Sequence, residues 1–193
     1  MRKLAFFALL AFAACTKDDT EIPIVETEKT TTTTTTTSSS TTTSSNTNTG
    51  TTTTSFFSAE TGNFQNDMLA YVNALRTKGC KCSGVQMPTV PALKWHKSLE
   101  TAALRHANDM NGSKIFSHTG SDGSSMSQRI TQAGYNWSYA SENIAAGYTS
   151  LTAVINGWVS SDGHCKNMMS ASITELGAAK VGIYWVQNFG KPR

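Results

Sequence analysis

The sequence predicts an α+β domain in which a small antiparallel sheet is flanked by helices. Three observations carry that reading. Apolar residues recur at helical spacing in several separate stretches, and the C-terminal stretch reads as strands with glycine turns. Nothing repeats in the strand, helix, strand order of a parallel sheet.

The first 55 of the 193 residues are not domain material. Arg2 and Lys3 precede an apolar run, Leu4–Ala14, that is too short to cross a bilayer as a helix and has the order of an export signal. It ends in F-A-A-C, which resembles a bacterial lipobox, so residues 1–14 are expected to be a lipoprotein signal peptide and Cys15 the lipidated first residue of the mature chain. The alternative is an ordinary signal cleaved near Ala14. The T-K-D-D that follows Cys15 resembles a tag for outward display, which places the protein as an outer-membrane lipoprotein at the cell surface, or otherwise in the periplasm.

From Thr30 to Ser55 the chain holds 17 Thr, 6 Ser, 2 Asn and 1 Gly. With no apolar residue to bury, such a tract cannot offset its conformational entropy, so residues 15–55 are expected to form a disordered tether. Its root-mean-square reach would be about 35 Å. Residues 56–193 have the size of one domain with one core. They carry 12 Lys and Arg against 8 Asp and Glu, without a basic run, which gives no case for nucleic acid.

Within the domain, Phe64, Met68, Val72 and Leu75 predict an amphipathic helix between Gly62 and Lys78, stopped at Gly79. The aperiodic C-K-C-S-G-V-Q-M-P-T-V-P reads as an extended loop. A second helix is expected around Ser98 to Asn111, with Leu99, Ala103, His106 and Met110 inward. His106 on that apolar stripe is read as a buried, hydrogen-bonded core histidine. Ser125 and Gln128 stand in capping-box relation and open a short helix through Met126, Arg129 and Ile130. Tyr135, Trp137 and Tyr139 alternate in an extended segment. Leu151, Val154, Ile155 and Trp158 then mark a helix from about Ser150 to Ser161, after which His164 falls on a tight loop or the start of a short helix. Leu176 to Phe189 reads as a terminal hairpin. Phe56, Phe57, Phe64, Tyr135, Trp137, Tyr139, Tyr148 and Trp185 are mostly core, and any left exposed near a cleft would favour a lipid, sterol or glycan ligand.

Five motifs fall in one order and register: F-S-H-T-G, S-E-N-I-A-A-G, G-H-C-K-N-M-M, T-E-L-G and Y-W-V-Q-N-F-G. Together they closely resemble the CAP superfamily of cysteine-rich secretory, antigen 5 and pathogenesis-related 1 (SCP-like) proteins, in particular its bacterial members, from about Phe64 to Arg193. The resemblance sharpens the fold to an α-β-α sandwich with the sheet between helices and a cleft at one end. It implies a polar cleft of His118, Glu142 and His164. Many eukaryotic members carry a glutamate three residues after the tryptophan of the fourth helix; counted from Trp158, that place is Ser161 here. Glu175 matches a position common in the bacterial branch and is expected close by, in the space of the absent carboxylate. The resemblance also pairs Cys82 with Cys165 and leaves Cys80 free, a cross-link of about 4.5 kcal/mol at most by loop entropy. A Zn²⁺ site from Cys80, Cys82, His164 and Cys165 stands as the alternative.

Two imidazoles and a carboxylate suit Zn²⁺ or another divalent cation, though without the fixed spacing of a zinc helix, and no cofactor is required. The same groups could act as general base and acid, or Ser161 as a nucleophile beside His164, but no nucleophile elbow is present. A polar network that merely braces loops is the plainer alternative. The leading functional expectation is therefore a monomeric, lipid-anchored binding module, and the second is a hydrolase acting on peptide or cell-envelope material through the same cleft. A purely structural or adhesive surface protein is the third.

Overall fold

The computed structural model describes residues 60–193. The expected signal peptide, Cys15, the tether, Phe56 and Phe57 lie outside them. Five helices and six strands follow in the order α1 (Phe64–Lys78), β1 (Cys80–Cys82), β2 (Val85–Met87), β3 (Lys94–Trp95), α2 (Lys97–Ser113), α3 (Met126–Gln132), β4 (Trp137–Ala146), α4 (Leu151–Ser160), α5 (Asp162–Met168), β5 (Glu175–Val181) and β6 (Tyr184–Pro192). The main sheet runs β3-β5-β6-β4 and is mixed, because β3 pairs parallel to β5 while the other pairs are antiparallel. That parallel pair, Lys94 with Glu175 and Trp95 with Leu176, is two residues long and closed by distant parts of the chain. The segment expected as a plain loop forms the β1–β2 hairpin. Its turn places Ser83 and Gly84 at positive φ, 46° and 89°.

Strand alternation assigns the two layers. Along β6, Trp185 and Phe189 join the core under α1, α4 and α5, built on Met68, Val72, Ile155, Trp158 and Met168. Tyr184 and Val186 point to the other face, against Ala103, Ala107 and Met110 of α2. Leu99, Ala102, Ile130 and Tyr135 seal the junction of α2 with α3. Gly177 is required by close approach, since a Cβ there would lie 2.1 Å from the backbone nitrogen of Glu100. The helices are therefore packed on both faces of the sheet, and β4 is its long edge strand, opposite the two-residue β3.

Helix starts follow local chemistry. Asn63 caps α1, Ser150 caps α4, and Ser125 with Gln128 closes a reciprocal capping box on α3. Arg76 of α1 is fully buried and donates to the carbonyls of Pro91, Met168 and Ser170. It thereby ties α1 to the end of α5, and its burial pulls its pKa down to about 10.

Candidate functional site

The site lies along edge strand β4, where neighbouring residues point to opposite faces. Glu142 faces α2 and α3, while Asn143 faces α5. Glu142 is buried, its side chain 2% exposed. Its Oε2 accepts from Arg129 Nη2 at 2.9 Å and its Oε1 from the same nitrogen at 3.2 Å. His118 Nδ1 lies 2.9 Å from Oε1. The Asn188 amide, oriented to satisfy both neighbours, donates to Oε2 at 3.2 Å and accepts from the Ala103 N–H at 3.0 Å. A carboxylate has about four lone-pair directions, and three protein donors, that of Arg129 shared between both oxygens, engage them here.

Those contacts decide what His118 can do. Glu142 accepts the Nδ1 proton and so selects the tautomer whose Nε2 carries the lone pair, on a side chain that is 57% exposed. Arg129 is 1% exposed, and besides Glu142 it donates to the carbonyls of Ser124 and His118 at 2.7 and 3.0 Å. One guanidinium therefore holds both the carboxylate and the backbone of the histidine that the carboxylate orients. His106 is fully buried and binds the Ser117 carbonyl through Nε2 at 2.8 Å, which pins the residue before His118. Burial holds the His106 pKa below its ordinary value, against the opposing pull of Glu142, whose Oε1 is 4.0 Å away. It is the core histidine that its apolar stripe implied.

Short polar contacts shape the loop that carries His118. The Asp109 carboxylate accepts from the Ser121 N–H and hydroxyl, and Asp122 accepts from the Ser124 N–H and from Arg105 at 2.8 Å. Both acids are held below the usual carboxylate range, chiefly by those serines. Ile115 and Phe116, just before His118, are 55% and 53% exposed.

His164 reaches the same edge from the opposite face. It is the third residue of α5, and its carbonyl accepts from Asn143 Nδ2 at 3.1 Å. Asn143 also bonds Gln187, and Asn167 of α5 donates to the Asn143 amide oxygen and to the Glu142 carbonyl. Cys165, the next residue, is bonded to Cys82 across 83 positions, and Cys80 is free. Burial first, and facing His118 second, hold the His164 pKa below its ordinary value. The two imidazoles are thus electrostatic neighbours mounted from opposite layers.

Glu175 does not join them. It faces the α2 and α3 layer at the start of β5 and accepts from the Tyr135 hydroxyl, whose ring meets His96 edge-on at 4.7 Å. Burial and this carboxylate push the Tyr135 phenol up. The register puts Glu175 opposite Gly190 and Glu142 opposite Asn188, so the two acids are two strands apart, on the order of 10 Å. Glu175 therefore does not fill the place of the absent carboxylate. Ser161 is the junction residue between α4 and α5, and its side chain makes no capping bond.

Among the described residues, the one set of three or more His, Cys, Asp or Glu ligand atoms gathered within 4.8 Å is Cys80, Cys82 and Cys165. His118, Glu142 and His164 are not such a closed set. Arg129 is the site residue that sequence reasoning missed. Its only signal was a cation on the inner stripe of a capped helix, between Met126 and Ile130. Two concavities of about 460 and 440 Å³ lie elsewhere, one lined by Tyr135, Trp137 and Arg193, the other by Phe64, Glu100 and Lys180.

Comparison with known proteins gives this geometry a family. Among curated proteins, the uncharacterized membrane protein YlbC of Bacillus subtilis (strain 168) is 32% identical over 99 residues, 51% of this chain and 29% of that protein. The uncharacterized protein YkwD of the same organism is 28% identical over 136 residues, 68% of this chain and 53% of its own. The chain thus spans less than two thirds of either relative. Among solved structures, an extracellular protein containing an SCP domain from Bacillus anthracis str. Ames superposes with a TM-score of 0.59 at 26% identity, over 66% of this chain and 40% of that one. An outer surface protein from Borrelia burgdorferi gives 0.59 at 21% identity, over 70% and 97%, a likeness of fold alone. Residues 69–189 match the cysteine-rich secretory protein family, CAP, a span that takes in the whole site from His106 to Asn188. The chain belongs to that family, as a CAP/SCP-domain protein of the bacterial kind.

Proposed function

We propose that the domain is an extracytoplasmic binding module, held to a membrane by a lipid on Cys15, and that its ligand contacts fall on His118 and His164, with Ile115 and Phe116 as an apolar rim. The observation that carries this reading is the burial of Glu142 among its own donors. Engaged by Arg129, His118 and Asn188 and only 2% exposed, it orients an imidazole and is closed off from a cation or a substrate. Two exposed or half-exposed imidazoles beside exposed apolar residues suit a small amphiphilic ligand of the lipid, sterol or glycan kind. Export is supported by the signal-like N-terminus and by the description of similar proteins as a membrane protein and an extracellular protein. A divalent cation would find two imidazoles as protein ligands and would need water or ligand to complete its shell.

A hydrolase is the second reading, and one observation favours it. The chain Arg129, Glu142, His118 ends in a free Nε2, the arrangement of an oriented general base. Pull-down from lipid and glycan extracts, with mass spectrometry of the bound species, tests the first reading. A screen with peptide, peptidoglycan and ester substrates tests the second. Ligand retained by wild type and lost in His118→Ala and His164→Ala, without turnover, supports binding. Turnover abolished by the same substitutions would replace it with catalysis.

A further inference from the structure

Three sulfurs gather where the β1–β2 hairpin meets α5. Cys80 and Cys82 are alternate residues of β1, so both project from one side of the strand. The bonded pair, Cys82 and Cys165, is completely buried. Cys80 is a free, half-buried thiol whose Sγ lies 3.8 Å from that of Cys165, and all three sulfurs fall within 4.8 Å of one another. A dissolved thiol can reach Cys80 but not the sealed bond behind it. The Ser83 hydroxyl donates to the Ser160 carbonyl at 2.8 Å, which fixes the hairpin against the end of α4 and keeps both β1 cysteines in place.

We propose that Cys80, Cys82 and Cys165 form a thiol–disulfide exchange centre in which Cys80 competes with Cys82 for Cys165 and passes the disulfide between the buried pair and external thiols. The Cys80 thiol loses its proton to solvent, and side-chain rotation brings its Sγ into line with the Cys82–Cys165 bond. The Cys80 thiolate attacks Cys165 Sγ, the Cys80–Cys165 bond forms as the Cys82–Cys165 bond breaks, and Cys82 leaves as a thiolate that takes up a proton. No electrons are gained or lost in this step. The new disulfide contains the accessible sulfur, so an external thiolate can attack Cys80 Sγ, forming a mixed disulfide there and releasing the Cys165 thiolate. A second external thiolate then frees Cys80 and departs as an external disulfide, the external thiols having been oxidised and the protein disulfide reduced. The substrate class is low-molecular-weight or protein thiols and disulfides.

Trypsin separates the three cysteines onto residues 79–81, 82–94 and 130–166, with Cys15 on 4–17. Full-length protein is held without alkylation in mildly alkaline buffer, quenched in acid and mapped, and peptide 130–166 is expected linked to both 82–94 and 79–81. The decisive measurement is the rate at which dithiothreitol reduces the native disulfide. Cys80→Ser, which keeps the Cys82–Cys165 bond, should be reduced about tenfold more slowly than wild type, because the relay sulfur is gone. Cys82→Ser should carry the Cys80–Cys165 bond. Equal reduction rates in wild type and Cys80→Ser overturn the proposal, whichever linked peptides are found and whether or not Cys82→Ser folds.

Discussion

The two sides of strand β4 hold their histidines by different physics. On the α2 and α3 side, His118 is mounted through charge: a buried Arg129–Glu142 pair, a fully buried His106, and backbone carbonyls gathered by one guanidinium. On the α5 side, His164 is mounted through neutral amides and a covalent staple: Asn143, Asn167 and Gln187, with Cys82–Cys165 alongside. Buried charge is intolerant of losing one partner, whereas a neutral network depends little on pH and a disulfide acts mainly by restricting the unfolded chain. Each imidazole can therefore be disturbed without removing the support of the other.

The largest effect is expected on the charged side. Arg129→Ala strands a buried carboxylate and should cost about 3–5 kcal/mol in urea denaturation, whereas Arg129→Met with Glu142→Leu should recover much of that loss. A single-variant cost below about 1 kcal/mol would show that the pair does not support the fold. On the α5 side, Cys165→Ser leaves both β1 cysteines without their shared sulfur partner and should cost about 2–4 kcal/mol by the same measurement. It should leave the His118–Glu142 contact intact, to be checked from the ring resonances of His118.

Acid sharpens the comparison further. His106 and His164 are both held below the ordinary histidine pKa, with burial the leading cause in each. Below about pH 6.5 the unfolded chain binds protons that the folded chain refuses, so stability is full above that value and is lost as pH falls through the folded pKa values. Asp109 and Asp122, held low by their serine partners, contribute stability that is full above about pH 4 and is lost only below it, which keeps the two windows apart. His106→Gln should flatten the upper window more than His164→Gln, since His106 is fully buried and His164 only half-buried. Urea midpoints across that window, unchanged in both variants, would remove imidazole burial as the cause.

What the sequence made legible was local. The Ser125–Gln128 capping box, the apolar period of α1 and α2, and the place of His106 on a buried stripe all depend on residues within a turn or two of each other. The pairing of β3 with β5 was not legible, because two residues leave no period and the partner is about 80 positions away. Nor was Arg129, whose partner lies 13 residues on and in another layer. Glu175 was misplaced for a related reason. Its side of the sheet and its distance from Glu142 are fixed by register with β6, which a short motif does not reveal. His118, Glu142 and His164 came as a group from the family resemblance; their spacing alone would not have gathered them.

The smallest effect expected is also the one that defines the site's edge. With Glu142 buried and engaged by its own donors, Zn²⁺ has two imidazole ligands, so binding should be no tighter than micromolar by titration calorimetry. His118→Ala and His164→Ala should each abolish the heat, since a single exposed imidazole holds the ion too weakly to measure. Glu175→Gln should bind as wild type does, because that carboxylate answers to Tyr135 on the far strand. Affinity should fall in acid, where a proton competes for the His164 lone pair, and the fall should come late because burial and the neighbouring His118 hold that pKa below its ordinary value. Equal heats in wild type and the two histidine variants would remove the cation from the site. A loss in Glu175→Gln would mean that the ligand set reaches across β6, and that the two faces of β4 do not by themselves enclose the site.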